Sequence, residues 1–137
     1  MIDNSISKAK FLLRLALGIG FILPVLDRLG WLGAPGSYAV SWGNWTNFVS
    51  YTNSLMPYLN KQFASFSGAI ATICEVVFGL MLIIGFKIKW AAYGSFALTL
   101  IFALSMLFFA DYRAPFNYSV FVVSFSSLLL ATLSEHK

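Results

Sequence analysis

Charge is scarce in this sequence. Of its 137 residues only 10% are Asp, Glu, Lys or Arg, while 59% are hydrophobic and 18% aromatic. A soluble surface carries roughly a quarter or more charged residues, so the composition excludes a soluble domain and calls for an integral membrane protein. Cysteine is reduced to Cys74, inside an apolar run, which excludes both a disulfide framework and a CxxC redox pair within the chain. The one histidine, His136, lies in the tail beside Lys137, so histidine ligation of a metal or haem inside a helix bundle is excluded. No glycine-rich phosphate loop occurs, since Gly18-Ile19-Gly20 sits in an apolar run without the preceding strand that such a loop needs. The formal net charge is +4, yet the nine Lys and Arg stand singly at the ends of apolar runs and form no patch. They read as topology signals and not as nucleic-acid contacts.

What the sequence does have is apolar length. Residues 90–110 and 114–134 each run 21 residues without a charge, long enough to cross a bilayer. Residues 11–29 form a further span broken by Arg14, ending on Asp27 and Arg28, with Pro24 predicting a kink or early termination one turn before that end. Residues 63–86 form another, with Glu75 near the middle. The connections Lys87-Ile88-Lys89 and Asp111-Tyr112-Arg113 are short enough to force antiparallel neighbours. Lys8 and Lys10 before an apolar stretch resemble a signal peptide, but Arg14 breaks that stretch and no small-residue cleavage site follows, so the segment is expected to stay as a span. The expected fold is all-α, a single domain built as a four-transmembrane-helix bundle. Lys8, Lys10, Lys87, Lys89 and Lys137 fall on one side and Arg28, Lys61 and Arg113 on the other, which places both termini in the cytoplasm. The outer loop, 30–62, opens on turn chemistry. It then repeats apolar residues every three or four positions from Trp45 to Leu55, the pattern of a short amphipathic helix at the membrane surface. That helix reads either as an aromatic anchor in the headgroups or as a lid over a site between the spans.

A carboxylate in mid-membrane costs several kcal/mol, on the order of 3, unless it is paired, protonated or turned to a polar interior. Gly68, Thr72 and Gly79 share the face of Glu75, and small residues on one face admit a close neighbouring helix, so Glu75 is expected to point into the bundle. Arg14 is the other charge well inside a span, which makes an Arg14–Glu75 pair the first expectation. Three roles stay open at this point. The pair fixes helix register; or Glu75 accepts a proton or contacts a polar ligand; or Arg14 snorkels to the surface and leaves Glu75 protonated or bonded to Thr72, Ser95, Thr99 or Tyr93. Asp27 and Arg28, pointing in different directions from adjacent positions, read as a solvated interfacial pair. Asn117 is placed to hydrogen-bond the long loop, and the serines of the last span, Ser119, Ser124, Ser126 and Ser127, read as helix-packing contacts.

Phe11-Leu12-Leu13-Arg14-Leu15-Ala16-Leu17-Gly18, then Ala71-Thr72-Ile73-Cys74-Glu75 followed by Leu82-Ile83-Ile84-Gly85-Phe86, then Asn117-Tyr118-Ser119-Val120-Phe121 together resemble the DoxX family of small four-helix membrane proteins. The resemblance implies a four-span bundle in a bacterial cytoplasmic membrane. It further implies association with thiosulfate:quinone oxidoreductase or with thiol-redox complexes, although the missing cysteine pair departs from the thiol-handling relatives. Arg14 and Glu75 are the residues it carries over as the polar centre, with Asp27 and Arg28 second. Two functions follow as expectations. One is an accessory or interaction subunit of a membrane complex, self-associated or bound to a membrane-protein partner. The other is a quinone-linked oxidoreductase subunit that binds a hydrophobic small molecule within the bundle, where a buried polar group manages its proton, with no intrinsic cofactor and quinone possible through a partner.

Overall fold

The computed structural model describes residues 2–135, the side chain of Ile2 excepted; His136 and Lys137, and what was expected of them, lie outside the described residues. Among these residues the chain forms six helices and no strands: α1 Ile2–Arg28, α2 Trp45–Leu55, α3 Lys61–Ile84, α4 Ile88–Phe109, α5 Ala114–Asn117 and α6 Val120–Glu135. Each boundary has a local cause. Asn44 and Asn60 cap α2 and α3 by accepting from the N–H groups of Asn47 and Phe63, three residues on. At the end of α1, Gly30 adopts φ 82°, and the N–H groups of Gly30 and Trp31 donate to the carbonyls of Asp27 and Leu26, closing the helix with a Schellman motif. The expected termination near Pro24 does not occur, and α1 continues through it to Arg28.

α1, α3 and α4 are each long and apolar enough to cross a membrane, and their outward faces carry Leu12, Ile73, Ile84, Ile101 and Phe108 at 63–74% exposure. An apolar surface of that extent is tolerated against lipid and not against water. The chain is a multi-pass membrane protein. The expected uninterrupted helix over 114–134 is corrected. Pro115 sits in the first turn of a four-residue α5, Ser119 takes φ 57°, and α6 restarts at Val120. Its 16 residues reach about 24 Å, short of a hydrocarbon core of roughly 30 Å.

The helices close into a ring, with α1 against α3, α3 against α4, α4 against α6, and α6 back against α1. α2 lies across α3 at one end, touching α4 and α1 as well. This end is termed the α2 face, and the opposite end, where α1 begins and α6 finishes, the termini face. Between α4 and α6 the contact is made by small and hydroxylated side chains, Ala92, Ser95, Thr99 and Ala103 against Ser124, Ser127 and Ala131, all buried. Ser124 donates to the Phe96 carbonyl across the interface at 3.1 Å, as expected of the serines there. α1 and α3 meet at Gly18 and Gly79. A Cβ on Gly79 would lie 3.2 Å from the Gly18 carbonyl oxygen and 3.1 Å from Ile22, so neither backbone leaves room for a side chain.

Gly79→Leu is therefore expected to destabilise the bundle by about 1–3 kcal/mol or more through overpacking. The lipid-facing neighbour Leu80, 47% exposed, is expected to tolerate change to Ala with a far smaller effect. Thermal unfolding of the two variants in detergent measures this, and equal midpoints would remove the Gly18–Gly79 crossing from the account.

Candidate functional site

The last turn of α1 carries two buried charges. Asp27 is 5% exposed and Arg28 2%, so the expected solvated interfacial pair is corrected. The Asp27 carboxylate accepts from the backbone N–H groups of Ser41 at 2.8 Å, Gly43 at 2.9 Å and Trp42 at 3.3 Å. A carboxylate at a helix C-terminus opposes the helix dipole, and these amides supply the compensation. They also fold the loop back over the end of α1.

Arg28 points the other way, into the bundle. Its Nη2 donates to Glu75 Oε1 at 3.2 Å, its Nη1 donates to Thr72 Oγ1 at 2.8 Å, and Nη1 lies 2.5 Å from Glu75 Oε2. Thr72 passes its own hydroxyl proton to the Gly68 carbonyl at 2.7 Å. The contact with Oε2 is ionic and off the angle of a hydrogen bond, and among the described residues Arg28 Nε has no hydrogen-bond partner. Two rings cover the guanidinium, Phe48 with its centroid 4.0 Å from Cζ and Trp42 at 5.2 Å. Desolvated cation–π contacts of this kind are worth about 2 kcal/mol or more. α2 delivers Phe48, and it does so because Gly68 on α3 leaves the space; a Cβ there would lie 2.9 Å from the Phe48 ring.

The expected Arg14–Glu75 pair is thereby corrected, with Arg28 in the place given to Arg14. Arg14 instead donates from Nε to the Leu82 carbonyl at 2.7 Å and from Nη2 to the Ile83 carbonyl at 3.4 Å, serving the carbonyls that the end of α3 leaves unpaired. The cause is the direction of helical side chains. Every Cα–Cβ bond leans toward its helix N-terminus. Because α1 and α3 run antiparallel, Glu75 leans to the α2 face, Arg28 leans to meet it, and Arg14 leans away. That rule was available from the sequence and identifies the right arginine. The alternative hydroxyl partners are also corrected. Ser95 and Thr99 donate to carbonyls of their own helix, Tyr93 donates to Glu135 at 2.8 Å, and Thr72 reaches Arg28. Asn117 makes no side-chain hydrogen bond among the described residues; it lines a cavity at the α2 face.

Two cavities adjoin this cluster. The inner one, about 260 Å³, has Arg28 and Glu75 in its wall together with Phe21, Phe48, Thr99 and Phe102. The outer one, about 1010 Å³, is bordered by Ser41, Asn47, Tyr51, Asp111, Asn117 and Tyr118. Burial first, and Tyr118 beyond it, pushes the Tyr51 phenol above its usual range, so at neutral pH it stands in the outer cavity as a neutral hydroxyl. Sequence reasoning found Glu75, Thr72 and the aromatic loop. It missed that Trp42 and Phe48 close over Arg28, for which the positions of Gly68 and Asp27 were the available signals.

Glu75→Gln or Arg28→Leu alone leaves one buried charge uncompensated and is expected to cost about 3–5 kcal/mol. Arg28→Leu with Glu75→Leu should recover much of that loss, whereas Arg14→Leu with Glu75→Leu should show additive losses. Denaturation of the four single and two double variants in detergent decides which arginine is coupled. Asp27→Asn is expected to raise amide hydrogen exchange at Ser41 to Gly43, since one charged acceptor holds all three; unchanged protection would refute its hold on the loop.

The sequence model of the DoxX family matches residues 9–110, which include Arg14, Asp27, Arg28, the whole of α2 and α3, and Glu75. No curated protein and no solved structure matches the chain. With the family match covering most of its length and every charged residue of the buried cluster, this protein belongs to the DoxX family.

Proposed function

We propose that this protein is a membrane subunit of a redox-associated complex, whose bundle holds a small apolar ring molecule of the quinone class beside Arg28 and Glu75. The observation that carries the reading is the inner cavity, whose wall combines an ion pair with Phe21, Phe48 and Phe102. Apolar walls with a few convergent polar groups are what a small-molecule site requires. The rings hold the apolar body, and the guanidinium and carboxylate offer a donor and a proton acceptor to a carbonyl or hydroxyl at its edge. Electrons come from or go to a partner protein. In this reading α6, with α5 as its lead-in, crosses the bilayer as a fourth span. Both termini then lie in the cytoplasm of a bacterial cell, by the Lys/Arg asymmetry of the loops.

A second reading, an accessory subunit whose polar cluster is architecture alone, is favoured by one observation: Arg28, Thr72 and Glu75 largely satisfy one another. Purification from bacterial membranes in mild detergent, followed by mass spectrometry of bound proteins and lipids, separates the two. A quinone at near-stoichiometric level is expected, reduced at least tenfold in Ala71→Leu, which fills the inner cavity while leaving the ion pair in place. Absence of quinone, or equal retention by the variant, would leave the architectural reading.

A further inference from the structure

The site has two ends, and they differ. On the termini side of Glu75, Leu17, Phe21, Leu82, Ala91, Leu130 and Ala131 pack as one cluster, none more than 6% exposed, with Leu13, Phe78 and Met81 filling in around them. On the α2 side the packing opens. The inner and outer cavities share Pro24, Trp42, Phe102, Tyr118 and Val120 as walls, so the two spaces adjoin. Their linings also differ. Ser41, Asn47, Asp111 and Asn117 border only the outer space, and the Arg28–Glu75 pair with Phe21, Phe48 and Leu98 only the inner.

Charge is distributed unevenly along the same path. Among the described residues Arg28 is the only cation in either lining, and Glu75 neutralises it at contact distance. Asp111, exposed, is the only acid bordering the outer space among the described residues. The neighbouring Arg113 guanidinium turns onto the Tyr112 ring, 5.6 Å from its centroid. An anion moving inward meets a carboxylate first and then finds no unpaired cation to replace its water.

We propose that the two cavities form one access route that opens on the α2 face, admits neutral or cationic amphipathic molecules, and is closed both to anions and to the termini face. The inference rests on the reading of the inner cavity as a binding site and adds from which side, and with what charge, a ligand reaches it. A sulfur oxyanion is excluded as the ligand of this chain's own site. A ring with a neutral polar edge matches the aromatic wall and the paired charges of the inner cavity.

Sided cysteine labelling tests the route without any ligand. Val120→Cys, in the wall shared by both cavities, and Thr99→Cys, in the inner one, are made in a Cys74→Ser background and reconstituted in oriented liposomes. Each is treated from either face with membrane-impermeant methanethiosulfonates, one carrying trimethylammonium and one sulfonate. Rates are taken relative to Ser37→Cys in the exposed loop. From the α2 face the cationic reagent is expected to label Val120→Cys at least tenfold faster than the anionic one. From the termini face neither should label it, and Leu130→Cys, within the seal, should resist both from both faces. Labelling of Val120→Cys from the termini face, equal rates for the two charges, or no labelling from either face would overturn the route. If Val120→Cys does not fold, Thr99→Cys is held to the same outcomes. Bound quinone with reversed labelling would sink the route and spare the binding site, and the expected labelling without bound quinone would do the opposite.

Discussion

Asp27 and Arg28 occupy successive positions in the last turn of α1, about 100° apart around the helix, so a carboxylate and a guanidinium leave one turn in different directions. Arg28 sits where the helix dipole favours a cation, and Asp27 where it disfavours an anion. Each charge is nearly out of water, and each would be costly alone. Asp27 is made tolerable by three backbone amides, and Arg28 by Glu75, Thr72 and two aromatic faces. The buried cluster of Asp27, Arg28 and Glu75 carries one net negative charge by formal count, and the amides around Asp27 are the groups that disperse it.

From that turn the rest of the α2 face follows. Because the amides of residues 41–43 converge on Asp27, Trp42 is brought over the Arg28 guanidinium, and the chain enters α2 at Asn44 with its first turn already positioned. α2 then places Phe48 against Gly68, and Thr52 beside it, which fixes the helix across α3. Trp42 and Phe48 meet edge to face at 5.3 Å and Trp45 adds a ring 5.1 Å from Phe48, so the lid is an aromatic cluster held by one carboxylate below it. The helix presents Phe48 and Val49 inward and leaves Asn44, Thr46 and Asn47 exposed.

Much of this was legible in the sequence, and the part that was not has physical causes. α2 falls on Trp45–Leu55 as its periodicity predicts, because an amphipathic helix declares its face by spacing alone. The faces of Gly68, Thr72, Glu75 and Gly79 were equally readable, since they depend only on 3.6 residues per turn. The break at Ser119 was not, because nothing in an apolar composition distinguishes a helix from two helices joined at a left-handed residue. Burial of Asp27 and Arg28 was hidden for a different reason. Charges at the end of an apolar run ordinarily reach headgroups, and here a loop 15 residues downstream returns to cover them, a long-range contact that no local pattern carries.

Arg14 and Arg28 are 14 residues apart, close to four turns, so both project toward α3 and a face argument cannot choose between them. Register chooses. With Gly18 against Gly79 in an antiparallel crossing, Arg14 falls level with the last carbonyls of α3, where it is found, and Glu75 falls level with Ile22, between the two arginines. The remaining ambiguity is resolved by the lean of Cβ toward each helix N-terminus, which moves Glu75 and Arg28 together and Arg14 apart. A slide of one turn, about 5.4 Å, would take Arg14 off the end of α3 and pull Arg28 from beneath Phe48. The glycine crossing thus keeps two identical residues on one helix face in separate roles, one closing a helix at the termini face and the other charging a cavity at the α2 face.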